Sequence, residues 1–167
     1  MDSREEVAIS SLLEYANLET ISIDIDSDPL GIGEDGVVWE SSRNTAVKAF
    51  YRFKNYDREL SCYLRLRDFC ITEIAGFSVP ELVGSHDDLL VIEMGLVSPP
   101  RLLDFGKAYL DFPADYPEGV LEDHLENRSH DYSEEHWELV LQAFYDLMSY
   151  GIYYYDLRPA NIQVCSE

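Results

Sequence analysis

The first pattern along the chain sets Val7, Leu12, Leu13, Ala16 and Leu18 among charged residues and predicts a helix over 4–19. Ser3 followed by Glu6 has the form of a capping box at its start. The period then shortens to two in Ile21-Ser-Ile23-Asp-Ile25-Asp. Two further apolar runs, Val37-Val38-Trp39-Glu40 and Thr45-Ala-Val-Lys-Ala-Phe50, flank the turn-rich Ser41-Ser-Arg-Asn44. These segments predict strands of an antiparallel meander. Helical spacing returns over 55–69, with Tyr56, Leu60, Tyr63, Leu64 and Leu66 along one side. Pro80, Gly84 and His86-Asp-Asp88 punctuate short strands expected near 81–83 and 89–94. Residues 95–100 read as a linker. A short helix is expected over 101–110, and the acidic stretch 111–131 is expected to be mostly loop with a helical turn or two. Ser133 then caps a helix whose Trp137, Val140, Leu141, Phe144, Leu147 and Met148 share one broad face, and Gly151 stands where a C-terminal cap belongs. A strand-rich part, 1–94, thus precedes a helical part, 95–167, in an α+β chain.

At 167 residues and 46% hydrophobic content, the chain suffices for one ordinary domain or two small lobes with a real core. Charge changes the picture more. With 33 acidic against 12 basic side chains the net charge is −21. Such a surface repels phosphate backbones and anionic lipid, which argues against nucleic-acid and membrane binding. It reads first as a means of solubility and second as a complement to a basic protein partner. Cys62, Cys70 and Cys165 form neither a C-x-x-C pair nor a disulfide framework. No run approaches the roughly 20 apolar residues of a membrane span, and the acidic N-terminus is unlike a signal peptide. The expectation is a soluble, cytoplasmic protein with reduced thiols.

Four constellations carry candidate chemistry. Gly31-Ile-Gly33-Glu-Asp-Gly36-Val-Val38 fits G-x-G-x-x-G-x-V, a backbone without Cβ atoms that can close over phosphates. Its plain alternative is a hairpin turn, and the strand-like residues that follow it exclude the strand–glycines–helix order of a dinucleotide fold. Lys48 lies on an otherwise apolar strand, where its charge is costly unless used by a partner such as phosphate, or unless the head snorkels to solvent. Glu59 lies within the 55–69 helix and could fix Lys48 by an ion pair; otherwise it is an exposed helix carboxylate of little energetic weight. The fourth constellation is Tyr154-Tyr-Asp156-Leu-Arg158-Pro-Ala-Asn161. A carboxylate at Asp156 can orient or accept a hydroxyl proton, Arg158 can neutralise a transferring phosphoryl group, and the Asn161 amide oxygen can hold Mg²⁺. A capped turn would use the same residue types.

Taken in order, the four constellations resemble the protein kinase-like superfamily over about residues 30–164. The resemblance implies a minimal kinase-like fold: a five-stranded antiparallel N-lobe with one packed helix and an additional N-terminal helix, and a truncated helical C-lobe. It implies that Gly31, Gly33 and Gly36, with Val38, cover ATP phosphates, and that Lys48 holds them while paired to Glu59. Val91-Ile-Glu93-Met-Gly95 resembles the hinge, where the Glu93 carbonyl and a nearby N–H would meet adenine. Asp156 would stand where the catalytic base stands and Asn161 where a Mg²⁺ ligand stands.

The departures are specific. Tyr154-Tyr155 replaces His-Arg, Arg158 replaces a lysine with different geometry, and the spacings from glycine loop to Lys48 to Glu59 are short. Only six residues follow Asn161, so the Asp-Phe-Gly segment, its metal ligand and the later helices have no residues left in their usual place. An Asp104-Phe105-Gly106 triplet occurs some fifty residues upstream. It is expected to be a coincidence, with Asp104 on a helix near the pocket mouth and Lys107 close by; the alternative is a relocated metal ligand. Two functions therefore compete: a minimal Mg-ATP-dependent phosphotransferase acting on a small acceptor or on itself, and a catalytically inactive pseudokinase that binds nucleotide or protein. A third is an acidic interaction surface that binds no nucleotide.

Overall fold

The computed structural model describes residues 3–165. Helix α1 (Ser3–Leu18) begins at Ser3 itself, so Ser3 is not the residue that caps it, and the position before it lies outside the described residues. Strands β1 (Gly31–Ile32), β2 (Gly36–Glu40) and β3 (Thr45–Phe50) follow. Then come helix α2 (Phe53–Asp68), the short strands β4 (Glu73–Ile74) and β5 (Phe77–Ser78), and strands β6 (Leu82–His86) and β7 (Val91–Gly95). The principal sheet is five-stranded and antiparallel, in the order β1-β2-β3-β7-β6. The α+β class and the five-stranded antiparallel sheet are as the sequence implied.

Strand β3 explains the layering. All six of its residues are buried, because it is central and covered on both faces. Val47 and Ala49 face α1 in a cluster with Leu12, Tyr15, Val37 and Val91. Ala46 and Phe50 face the other way, into the larger core around α2. Lys48 shares that second face, since side chains alternate along a strand. In α2 the buried residues Tyr56, Glu59, Tyr63 and Leu66 recur at steps of three and four, so Glu59 sits at the centre of the apolar stripe rather than on the wet side.

Two sequence expectations fail. The alternating 21–26 segment is not a strand; it makes one isolated bridge, Ile23 to Ser41. Asp24 takes the backbone away from a ladder: its side chain accepts from the Asp26 N–H at 3.1 Å, its carbonyl from Ser27 N–H at 3.3 Å and Ser27 Oγ at 2.6 Å. Residues 101–110 are not a helix either. They form strand β8 (Arg101–Leu102), a turn, and strand β9 (Tyr109–Leu110). Asp104 has φ +62°, a left-handed conformation no helix interior contains.

The rest is more helical than its composition indicates. Residues 120–129 form helix α3 (Val120–Ser129), longer than a turn or two. Helix α4 (Glu134–Ser149) is capped by Ser133, whose Oγ accepts from His136 N–H, and ends before Gly151 at φ +73°. Strands β10 (Ile152–Tyr153) and β11 (Ile162–Gln163) close the described chain. A second sheet, β11-β8-β5-β4, joins residues from both parts of the chain around one core. No helix among the described residues is long and apolar enough to cross a membrane.

Candidate functional site

The site is set by one long antiparallel apposition. Segment 101–110 runs beside segment 152–163, with Leu102 opposite Ile162 at one end and Leu110 opposite Ile152 at the other. Between these short ladders the two segments part into facing turns. One turn carries Asp104, Phe105 and Gly106; the other carries Asp156, Arg158 and Asn161. The turns remain tied: Leu103 N–H donates to the Asn161 carbonyl at 2.8 Å, and Tyr154 O–H to the Leu103 carbonyl at 2.6 Å. Phe105 is fully buried, edge-on to Tyr63 of α2 at 5.3 Å and to Tyr154 at 5.4 Å. The triplet read as a coincidence is thus the piece that joins α2 to the Asp156 turn.

Above the turns lies a cleft of about 620 Å³ under the main sheet. Lys48 Nζ donates to Glu59 Oε2 at 2.6 Å and lies 3.4 Å from Asp104 Oδ1. Burial works against the ammonium, but the two facing carboxylates hold its pKa up, at about 12. Burial pushes the Glu59 carboxyl upward, with Lys48 pulling the other way. Asp104 is lowered despite its burial, because Lys48 and the Gly106 N–H, which donates to Oδ1 at 3.3 Å, favour its charged form.

The glycines do different work. Gly31 and Gly33 line the cleft, and a Cβ on either would meet nothing within 4 Å. Gly33 and Gly36 close a tight turn, Gly33 N–H donating to the Gly36 carbonyl at 3.0 Å. At Gly36 a Cβ would lie 2.2 Å from the Ala49 carbonyl oxygen, so this glycine is required by the close approach of β2 to β3. Val38 lies opposite Lys48 across β2–β3 and also lines the cleft.

Asn161 lines the cleft and is buried; its amide N–H donates to the Asp156 carbonyl at 3.2 Å, which leaves Oδ1 as an available acceptor. Arg158 lines the cleft too, and grips Asp156 with two bonds: Nε–Oδ1 at 2.6 Å and Nη2–Oδ2 at 2.8 Å. Asp156 itself stands outside the lining.

The hinge expectation concerned the Glu93 carbonyl; the Glu93 side chain turns away from the cleft. Its side chain is fully buried on the α1 side of the sheet. Oε1 accepts from Arg43 Nε at 2.7 Å and Thr45 Oγ1 at 2.5 Å; Oε2 accepts from Arg43 Nη2 at 2.7 Å and Tyr15 O–H at 2.9 Å. These bonds hold its pKa down against the burial that would raise it. The cleft wall begins one residue later: Met94 opposes Ala46 across β3–β7, and Met94, Gly95, Leu96 and Val97 all line it. Gly95 N–H is already given to the Glu81 carbonyl.

Several residues of the site escaped the sequence reading. The Asp156 turn is buttressed by Tyr132, whose O–H donates to the Leu157 carbonyl at 2.8 Å. His124 supports it as well, its Nε2 lying 2.7 Å from the Tyr155 carbonyl, so that nitrogen carries the proton. Asn55 Nδ2 donates to Asp35 Oδ1 on the glycine turn. Lys107 Nζ lies 2.9 Å from Glu34 Oε2. Of these only Lys107 was named from the sequence, as a residue close to Asp104, from its place directly after the triplet. No group of three or more His, Cys, Asp or Glu suited to a metal ion exists among the described residues.

No protein-family model matches the chain, and no curated protein does. Among solved structures it is similar to the streptomycin–ATP–APH(2'')-IIa ternary complex, at 16% identity and a TM-score of 0.40 over 75% of this chain. The match takes in 33% of that structure's chain, so the present chain spans about a third of its length.

Proposed function

We propose that the protein binds Mg-ATP in this cleft and transfers its γ-phosphoryl group to a hydroxyl acceptor. What carries the reading is the position of Asp104, 3.4 Å from the Lys48 ammonium that Glu59 also holds, in the cleft that Asn161 and Arg158 line. Lys48 would meet the phosphates as an ammonium kept charged by two carboxylates. Adenine would lie against Val38, Ala46 and Met94, with its polar edge on the backbone of 95–97.

The donor set fits Mg²⁺. Asp104 stays ionised and the Asn161 amide oxygen is unspent, which gives two hard oxygen ligands, and phosphates and water complete such sites. Held by Asp104 and Asn161, Mg²⁺ would supply neutralisation of the negative charge on the transferred phosphoryl group. The acceptor oxygen attacks the γ-phosphorus, the bond to the β–γ bridging oxygen breaks, and ADP leaves with that electron pair. The acceptor's proton passes to Asp156, whose carboxylate accepts from Arg158 and retains free lone pairs. Arg158 would stabilise charge on the γ-phosphoryl group.

A second reading has one observation in its favour. Arg158 engages both oxygens of Asp156 at once, as it would in a nucleotide-binding pseudokinase that transfers nothing. One experiment separates the two. Purified protein is incubated with γ-labelled ATP and Mg²⁺, and release or transfer of label is followed alongside ATP binding. The expected result is turnover in the parent, its loss in Asp156→Ala with binding retained, and loss of Mg²⁺-dependent ATP binding in Asp104→Asn. Binding without turnover in the parent would establish the pseudokinase reading, and no binding at all would refute both.

A further inference from the structure

Lys107 is not among the residues the phosphotransfer reading uses, yet it lines the same cleft as Lys48 and Asp104. It sits on the turn between β8 and β9, which the Phe105 carbonyl closes by accepting from Ala108 N–H at 3.0 Å. From there its ammonium reaches across to the glycine turn and meets Glu34 at 2.9 Å. The glycine turn therefore presents a carboxylate to a cation at the place where such a turn would close over phosphates.

The charges around this contact conflict with a triphosphate. Glu34 and Asp35 occupy the two central positions of the Gly33–Gly36 turn, and Asp35 Oδ2 is among the atoms nearest Gly106. Asp35 is committed, since Asn55 Nδ2 and the Tyr51 N–H both hold it, the latter through its carbonyl at 2.9 Å. Glu34 is not committed in the same way: its side chain is 84% exposed and that of Lys107 42%. An ion pair so exposed contributes little, so exchanging one anion for another on Lys107 is cheap. A phosphate oxygen carries more charge than a carboxylate oxygen and would win the exchange where both are present.

We propose that Lys107 is a further phosphate-binding residue of the site, that it takes the terminal phosphates of the nucleotide, and that Glu34 is the built-in anion these phosphates displace. The proposal rests on the nucleotide reading above. On this proposal the added affinity comes from the phosphates beyond the first, so a triphosphate gains from Lys107 and a monophosphate does not.

The test is calorimetric titration of Mg-ATP and of AMP into the full chain and into Lys107→Gln and Glu34→Gln, with thermal unfolding as a fold check. Glu34 is largely exposed and Lys107 partly so, and the variants are expected to unfold within a few degrees of the parent. Lys107→Gln is expected to weaken ATP about tenfold or more, as loss of a charged hydrogen bond does. Glu34→Gln is expected to tighten ATP several-fold. AMP affinity is expected to be the same in all three. Equal ATP affinities in parent and variants would overturn the role of Lys107 and leave the nucleotide reading standing. AMP weakened in step with ATP would mean that Lys107 only shapes the cleft, and would overturn it too. A parent that binds neither ligand refutes the nucleotide reading itself, and this inference with it.

Discussion

Replacing Phe105 by alanine tests whether the Asp-Phe-Gly segment integrates the molecule. Phe105 is fully buried, and it spans the gap between helix α2, through Tyr63, and the start of the Asp156 turn, through Tyr154. A Phe→Ala change in a close-packed core costs about 3–5 kcal/mol, from lost transfer energy and the cavity left behind. Two edge-on ring contacts put this site toward the upper half of that range, since each is worth about 0.5–1.5 kcal/mol beyond area. For a chain of this size each kcal/mol lowers the melting temperature by about 2–4 °C, so the expected drop is about 8–20 °C. Phe105→Leu keeps part of the volume and loses the ring contacts, and its drop is expected to be less than half as large. Both are read by thermal unfolding followed in far-ultraviolet circular dichroism. A drop of about 2 °C or less in Phe105→Ala would refute the packing assigned to Phe105, because no buried phenyl ring with two aromatic neighbours is lost so cheaply.

Gly36→Ala places a Cβ 2.2 Å from the Ala49 carbonyl and is expected to lower stability by about 1–3 kcal/mol, while Gly33→Ala, which meets nothing within 4 Å, is expected to stay within about 0.5 kcal/mol of the parent; denaturant titration distinguishes them, and equal midpoints would contradict the strand approach at Gly36. Glu93 gives a pH dependence. Its folded pKa lies below the ordinary 4.5, so it releases its proton more readily folded than unfolded; the stability it contributes is complete above pH 4.5 and is lost as pH falls through the lower folded value. The difference in melting temperature between parent and Glu93→Gln is therefore expected to shrink on acidification below pH 4.5, and a difference independent of pH would contradict the four-bond environment described for Glu93.

What the sequence made legible was what local spacing controls. The strand that carries Lys48 and the helix that carries Glu59 were read from local spacing, their pairing was implied by resemblance, and they meet at 2.6 Å. The failures have other causes. Strands β8 and β9 find their partners at 162–163 and 152–153, and no local pattern in 101–110 marks a strand whose partner is about fifty residues on. Glu93 was assigned to a hinge by resemblance, through its backbone carbonyl, and the burial of its side chain was not legible at all. The three elements that bury and satisfy it, carrying Tyr15, Arg43 and Thr45, come from far upstream. The 21–26 segment alternates correctly for a strand, but Asp24 offers its backbone nearer hydrogen bonds.

The placement of Asp104 follows from a property of antiparallel pairing: a ladder depends on register and side-chain fit, not on which strand comes first in the chain. Segment 101–110 precedes segment 152–163 here, and the Asp-Phe-Gly turn still faces the Asp156–Asn161 turn because Leu102 and Ile162, both fully buried, fix one end of the apposition and the buried Ile152 fixes the other against Leu110. The order carries a modest entropic cost. Closing the apposition through the connection that holds α3 and α4, about 40 residues, rather than through a short turn, costs about 2 kcal/mol more in loop closure. Part of the connection offsets this by packing: Val140, Phe144 and Leu147 of α4 are buried in the same core as Phe105. The Lys48 ammonium therefore meets a carboxylate that stands some fifty residues before Asn161 in the chain. What this takes is one turn whose flanking residues can pair with the strands on either side of the Asp156 turn, and residues 101–110 meet that condition.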